Sequence, residues 1–318
     1  MKTAGRRCHL ALLRGGTARI SPARLVALVF GVWLVGQAAR DRFWLTGLCF
    51  YFPSPVCATV LVALAMWAWH SKRRRVAGTA LALAIAPAVF TFAVENRWYR
   101  PDGHNDRQTT RLMHWNIWYG KLGWKPLLEN MMAVEPDIVV LSEVLPETDL
   151  EAVAKILGED YVSGLAGNMA IVARGGLGSF LRVSTPRTEA FLVSWKRDKQ
   201  LCRLLVVDVP SNVLKRRAPA LHDLRNLIEQ YQPDFVVGDL NAPRRSLALT
   251  NLPEGYAHAY DQAGAGWSYS WPTFLPVLGL DQCITGPRVQ PVRYDLRSTR
   301  ASDHRIQVLD FHMDHQAQ

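Results

Sequence analysis

Acidic side chains are almost missing from the first 96 residues, where only Asp41 and Glu95 stand against 12 lysines and arginines. Residues 97–318 hold 25 basic and 25 acidic groups, so the whole net charge of +10 belongs to the N-terminal third. The remainder therefore lacks a large basic field of the kind that grips a nucleic-acid backbone, although a local basic groove is compatible with it. Cysteine is scarce too. The five cysteines form no CxxC pair and no metal-type spacing, which argues against a zinc site. Cys8, Cys49 and Cys57 fall in the N-terminal third, and Cys202 and Cys283 read as two ordinary buried thiols, with a disulfide between them as the alternative. No repeat or low-complexity tract occurs, and a hydrophobic fraction of 49% excludes a wholly disordered chain.

The N-terminal third has apolar length instead. Leu25–Ala39 carries no charge between Arg24 and Arg40, Phe43–His70 runs 28 residues without a charged side chain, and Val76–Val94 adds 19 more. A helix needs about 20 apolar residues to cross a bilayer, which places candidate spans at 25–39, 50–70 and 76–95, two or three transmembrane helices. The first is short and requires its flanking arginines to snorkel. It could also be a signal peptide, but its n-region is long and Gln37 occupies the −3 position for a cut after Ala39, which favours an anchor. Pro87 is expected to kink the third helix, which membranes tolerate. Ser71-Lys72-Arg73-Arg74-Arg75 is a short basic loop and belongs in the cytoplasm. The next span then leads outward, so the domain 97–318 is expected on the extracytoplasmic side of a cell inner membrane, with the lipid bilayer as partner of the N-terminal helices. No protein partner is expected.

Past Thr109 the pattern alternates between β-type runs and helical spacing. Strands are expected at Arg111–Ile117, Asp137–Leu141, Met169–Val172, Phe191–Trp195, Leu204–Val209, Phe235–Val237, Leu280–Ile284 and Ile306–Phe311, with a polar turn at Lys196–Gln200. Helices are expected at Lys125–Val134, Glu147–Leu157 and Ala218–Tyr231, and Asn251–Pro276 reads as a long loop. Mixed hairpin and βαβ connections fit an α/β sandwich better than one doubly wound sheet.

Polar residues gather where these strands end: Asn116, Glu143, Asp239 and Asn241, Asp281, and Ser302-Asp303-His304. Carboxylates, amides and one histidine are what a Mg²⁺-dependent phosphate-ester hydrolase requires, because a hard cation takes oxygen ligands and a nucleophilic water needs a base. Taken singly, Glu143, Asp239 and Asp303 also read as solvated loop residues, Asn116 and Asn241 as turn formers, and His304 as a surface histidine.

Together and in order they are more specific. His114-Trp115-Asn116-Ile117, Pro136-Asp137-Ile138-Val139-Val140-Leu141-Ser142-Glu143, Val236-Val237-Gly238-Asp239-Leu240-Asn241, Leu280-Asp281 and Ser302-Asp303-His304 resemble the motif series of the endonuclease/exonuclease/phosphatase superfamily, over about Arg111 to Phe311. Gly167-Asn168-Met169-Ala170-Ile171 and Ser270-Trp271-Pro272-Thr273 are similar to further family segments. The resemblance implies a four-layer α/β/β/α sandwich with its site at one rim of the packed sheets. It implies Glu143, Asn116 and Asp303 as Mg²⁺ ligands, with Mn²⁺ as an alternative, and Asp239, His304 and Asp281 as the acid–base group. It further implies Asn241 on the phosphate and a nucleic acid or phospholipid head group as the phosphate-ester substrate; Asp208 and Asn212 are this chain's own candidates for contact with the phosphate. One stretch departs from the pattern: where family members place a His or Tyr after Leu204–Val207, this chain has Asp208-Val209-Pro210-Ser211-Asn212. Asp208 is expected to be solvated and ionised, and a proton donor only if burial or a neighbouring carboxylate raises it. The alternative reading of the whole is a catalytically inactive binding or assembly module with the same fold.

Three other groups invite attention. His312-Met313-Asp314-His315 reads as a frayed terminus, Lys215-Arg216-Arg217 as a solvated cluster opening a helix, and Arg244-Arg245 as either solvated or in contact with substrate.

Overall fold

The computed structural model describes residues 21–100, 109–212 and 215–314; Cys8 and His315 lie outside them. The apolar N-terminal runs form α1 (Pro22–Ala39), α2 (Trp44–Phe50), α3 (Ser54–His70) and α4 (Arg74–Phe90), the last continuing through Pro87 into a π turn at Thr91–Glu95. Pro22–Ala39 and Arg74–Glu95 are each long and apolar enough to cross a membrane. The second apolar run is not one straight helix: α2 and α3 meet at 72°, because Pro53 and Pro55 open a new helix there. Helices α1 and α2 approach closely at Gly36, where a Cβ would lie 2.4 Å from the Cys49 carbonyl oxygen.

Two sheets follow. The first comprises β1 (Thr110–Asn116), β2 (Ile138–Ser142), β3 (Tyr161–Ala166) and β4 (Met169–Arg174), joined by β12 (Val289–Arg297) and β13 (Ile306–Met313) in the order β12-β13-β1-β2-β4-β3. The second holds β5 (Gly176–Leu177), β6 (Leu181–Arg182), β7 (Glu189–Arg197), β8 (Gln200–Asp208), β9 (Phe235–Asp239), β10 (Ala257–His258) and β11 (Asp281–Thr285), ordered β10-β11-β9-β8-β7-β5, with β6 also on β7. Helices α5 (Trp124–Val134) and α6 (Leu150–Leu157) cover the first sheet, and α7 (Ala218–Tyr231) covers the second.

This layering explains the unbroken apolar runs. In β2, Ile138 and Val140 enter the core between the sheets, while Val139 and Leu141 pack under α5 and α6. In β8, Leu204 and Val206 face the inter-sheet core while Leu205 and Val207 face α7. A strand covered on both faces has no reason to alternate with polar residues. The four-layer sandwich expected from the sequence is therefore present. The strands β3 and β12 were not legible, since both are half exposed and broken by Gly164 or Pro291. The expected frayed end is instead strand: His312 and Met313 pair with β12. Cys202 and Cys283 are buried free thiols.

Gly238 is needed for the close approach of β8 and β9. Its φ is 154°, and a Cβ there would sit 1.8 Å from the Val207 carbonyl oxygen. Gly238→Ala should cost about 3 kcal/mol, read as a Tm lowered by roughly 10 °C in detergent. An unchanged Tm would show that the strands can part without penalty.

Candidate active site

Strand register builds the site. Parallel pairing sets Asp208 at the end of β8 opposite Asp239 at the end of β9, and antiparallel pairing sets Asp239 opposite Asp281 at the start of β11. Glu189 of β7 lies opposite Asp208 on the other side. Four carboxylates thus form one row across the second sheet, at the rim where like charges repel one another.

The first sheet meets this row through Asn116. Its Nδ2 donates to Asp239 Oδ2 at 3.0 Å, and its Oδ1 accepts the Trp118 amide. The other Asp239 oxygen accepts the Asn241 amide at 2.8 Å, and Asn241 Nδ2 donates to the Val209 carbonyl. Asn241 is left-handed (φ 48°), which asparagine tolerates, and this turns its amide back onto Asp239. His304 sits on the turn before β13. Its Nδ1 is 2.8 Å from Asp281 Oδ2 and its Nε2 is 3.9 Å from Asp239 Oδ2. The turn is held because Ser302 Oγ donates to the Asn116 carbonyl and Trp115 Nε1 donates to the carbonyl of His304.

The electrostatics follow from this crowding. Burial pushes Asp239 upward, and the Asp281 charge adds to it. Burial works to depress His304, yet the Asp281 and Asp239 carboxylates outweigh it and hold the imidazole well above its ordinary value, so the ring is a cation with both nitrogens protonated. That cation in turn holds Asp281 below the usual carboxylate range against the opposing effect of burial. Behind Asp281, wholly buried His114 is pushed down to about 4 by desolvation; its Nε2 meets Ser142 Oγ and its Nδ1 meets Gln307. Asp208 departs from expectation. It is half-buried rather than solvated, its carboxylate accepts from Asn168 Nδ2, and it is pushed up to about 6, chiefly by burial and then by the charges of Glu143, Glu189 and Asp281.

Glu143 follows β2 in a left-handed conformation (φ 55°), a costly geometry for a non-glycine residue. Its carboxylate is half-buried and has neither hydrogen bond nor ion pair among the described residues. An unpaired carboxylate near Asp208 is an oxygen-rich seat that suits a hard divalent cation. Asp239, Asp281 and His304 also lie close enough together to share an ion. Their donor atoms are already taken, however, by Asn116, by Asn241 and by one another.

Of the residues anticipated from sequence, Asn116, Asp239, Asn241, Asp281 and His304 are joined by direct contacts, and register adds Asp208. Asp303 is next to His304 but its Oδ2 accepts from Trp271 Nε1. Asn212 is exposed on the loop beyond Val209. Arg244 and Arg245 point elsewhere: they donate to the Glu95 carbonyl and to Gln37 Oε1 and so clasp the N-terminal helices. Asn168, His114 and Trp271 belong to the site but were not singled out, although each lies in a segment that resembles the family motifs.

The sequence profile of the Endonuclease/Exonuclease/phosphatase family matches residues 113–304, more than half of the chain. The chain belongs to this family. It therefore shares the family's reaction class, metal-dependent hydrolysis of phosphate ester bonds. Among solved structures, a humanized D. rerio TDP2 carrying 14 mutations is 18% identical, with a TM-score of 0.51 over 64% of this chain and 99% of that one. An endonuclease/exonuclease/phosphatase from Beutenbergia cavernae DSM 12333 is 17% identical, with a TM-score of 0.51 over 65% and 72% of the two chains. Both likenesses concern the fold. No curated protein matches the sequence.

Proposed function

We propose that this family member is a Mg²⁺-dependent phosphodiesterase or nuclease anchored by its N-terminal helices, with its catalytic domain outside the cytoplasm. The observation that carries the catalytic reading is the chain at the sandwich rim in which Asn116 is hydrogen-bonded to Asp239 and His304 to Asp281, with His304 Nε2 3.9 Å from Asp239, beside the unpaired Glu143 carboxylate. In this reading Glu143 holds the cation, with Asn116 and Asp303 nearby. When bound, Mg²⁺ offsets charge growing on the phosphoryl oxygens. Asp239, raised by burial, orients and deprotonates the attacking water, while cationic His304 lies against the phosphoryl oxygens and Asp281 fixes its ring. Asn241 holds the phosphate in line.

The inactive-module reading has less support, since a left-handed Glu143 and the adjacent buried carboxylates Asp239 and Asp281 cost stability that a binding scaffold would not need.

The test uses the full-length protein. Detergent-solubilised enzyme should hydrolyse bis-p-nitrophenyl phosphate or DNA only with Mg²⁺ or Mn²⁺. A C-terminal alkaline phosphatase fusion should be active, and protease outside intact spheroplasts should cleave the domain. Turnover in excess chelator would remove the metal from the reading, and a protected domain would remove the extracytoplasmic placement.

Glu143→Gln keeps the shape and removes the charge. Activity at limiting Mg²⁺ should fall at least about tenfold, the scale at which a metal site responds to losing even an outer partner, and high Mg²⁺ should restore part of it. An unaltered Mg²⁺ titration would take Glu143 out of the site.

A further inference from the structure

Between α2 and the first turn of α7 runs a narrow groove open to solvent. One wall is apolar: Phe43 and Trp44 are largely exposed and Leu48 lies one turn further on. The other wall is Lys215, Arg216 and Arg217. Lys215 and Arg216 are exposed, as expected of a solvated cluster, but Arg217 is not: it is 9% exposed, donates to the Pro210 carbonyl, and its Nε is buried without a partner. Asp41 also lines the groove at 6% exposure. Its Oδ1 accepts the Leu247 amide while Oδ2 is buried with no partner. No ion pair joins Arg217 to Asp41 among the described residues. Two buried charges of opposite sign therefore line one groove, each with an unsatisfied atom, a costly arrangement that needs an explanation.

We infer that the groove binds a phospholipid whose head group carries both a phosphate and a primary ammonium, as phosphatidylethanolamine does. The phosphate meets Lys215, Arg216 and Arg217, the ammonium donates to Asp41, and an acyl chain lies along Phe43, Trp44 and Leu48. The short helix α2 connects the candidate span α1 to α3 at the end of the helices that touches the catalytic domain, the level at which aromatic residues mark a membrane interface. The groove adjoins the catalytic rim at two points. Tyr51, at the end of α2, donates its hydroxyl to the Asn241 carbonyl at 2.8 Å, and Arg217 holds Pro210, two residues after Asp208. A lipid seated here braces the outer side of the loop that carries the candidate phosphate-holding amide. The inference rests on the N-terminal helices lying in a bilayer.

Full-length protein in nanodiscs of phosphatidylcholine with equal minor fractions of phosphatidylethanolamine and phosphatidylglycerol is examined by native mass spectrometry for retained lipid. Phosphatidylethanolamine should be retained over both others. K215A/R216A should reduce retention roughly 25-fold, the product of a loss of about fivefold for each basic side chain. Asp41→Asn, which still accepts the Leu247 amide, should abolish the preference for ethanolamine over choline. Turnover of bis-p-nitrophenyl phosphate in detergent should match wild type for both variants and so report intact folding. Equal retention by wild type and variants, as for a groove filled only by water, or a preference for phosphatidylglycerol, would overturn the inference. Failure of the protein to enter nanodiscs at all would instead overturn the bilayer reading on which it rests.

Discussion

His304→Ala is expected to lower turnover by about 10³-fold while leaving the Mg²⁺ concentration for half-maximal activity within threefold of wild type. The reason is the position of the ring between two carboxylates, 2.8 Å from Asp281 and 3.9 Å from Asp239. In the proposed mechanism that environment keeps a positive charge beside the phosphoryl group, and removing one such preorganised group from a water-poor site costs about 10²–10³-fold, more when acid–base work is also disturbed. The substitution also leaves Asp239 and Asp281 without the cation between them, so Asp239 rises further and Asp281 loses the charge that holds it low. The metal titration separates two assignments. With the cation on Glu143, loss of His304 slows the reaction at every Mg²⁺ concentration. A large rise in the Mg²⁺ requirement would instead make Asp239, Asp281 and His304 the metal seat.

Asp208→Asn should cost about 10²-fold with a poor leaving group such as an alkoxide and less than threefold with p-nitrophenolate. The carboxyl is half-buried, hydrogen-bonded to Asn168, and placed by register beside Asp239. Burial and the neighbouring acids push it up to about 6, so a useful fraction carries a proton near neutral pH. An amide preserves the shape and the hydrogen bond but cannot donate that proton to a departing oxygen, and general acid catalysis accounts for 10²–10⁴ in rate. An equal loss with both leaving groups would point to a role in positioning alone. No loss with either would return the acid's role to His304 or Asp239.

The premise that changed for Asp208 shows where sequence reasoning reaches its limit. Its identity and its place after the Leu204–Val207 run were legible, and so was the absence of the expected His or Tyr. Its burial was not, because that depends on Asn168 in the turn between β3 and β4, and on Glu189 and Asp281 from two other strands. Arg217 and the pair Arg244-Arg245 teach the same point. Each looked like solvated or substrate-facing charge, yet one is buried beside α2 and the others hold Glu95 and Gln37 of the helical region.

By itself the sequence determined the strand runs of β2, β8 and β9, the helical face of α7, the apolar length of the N-terminal helices, and the motif residues Glu143, Asp239, Asn241, Asp281 and His304. All of these are local patterns, carried by side-chain periodicity or by neighbours a few positions apart. Tertiary structure alone decided that Asn116 reaches Asp239 across 123 residues and that Asp208, Asp239 and Asp281 share one row. It also decided that the Tyr51 hydroxyl meets the Asn241 carbonyl. Those contacts arise from sheet register and from packing between layers, and the charge state of each acid follows from the burial that this packing imposes.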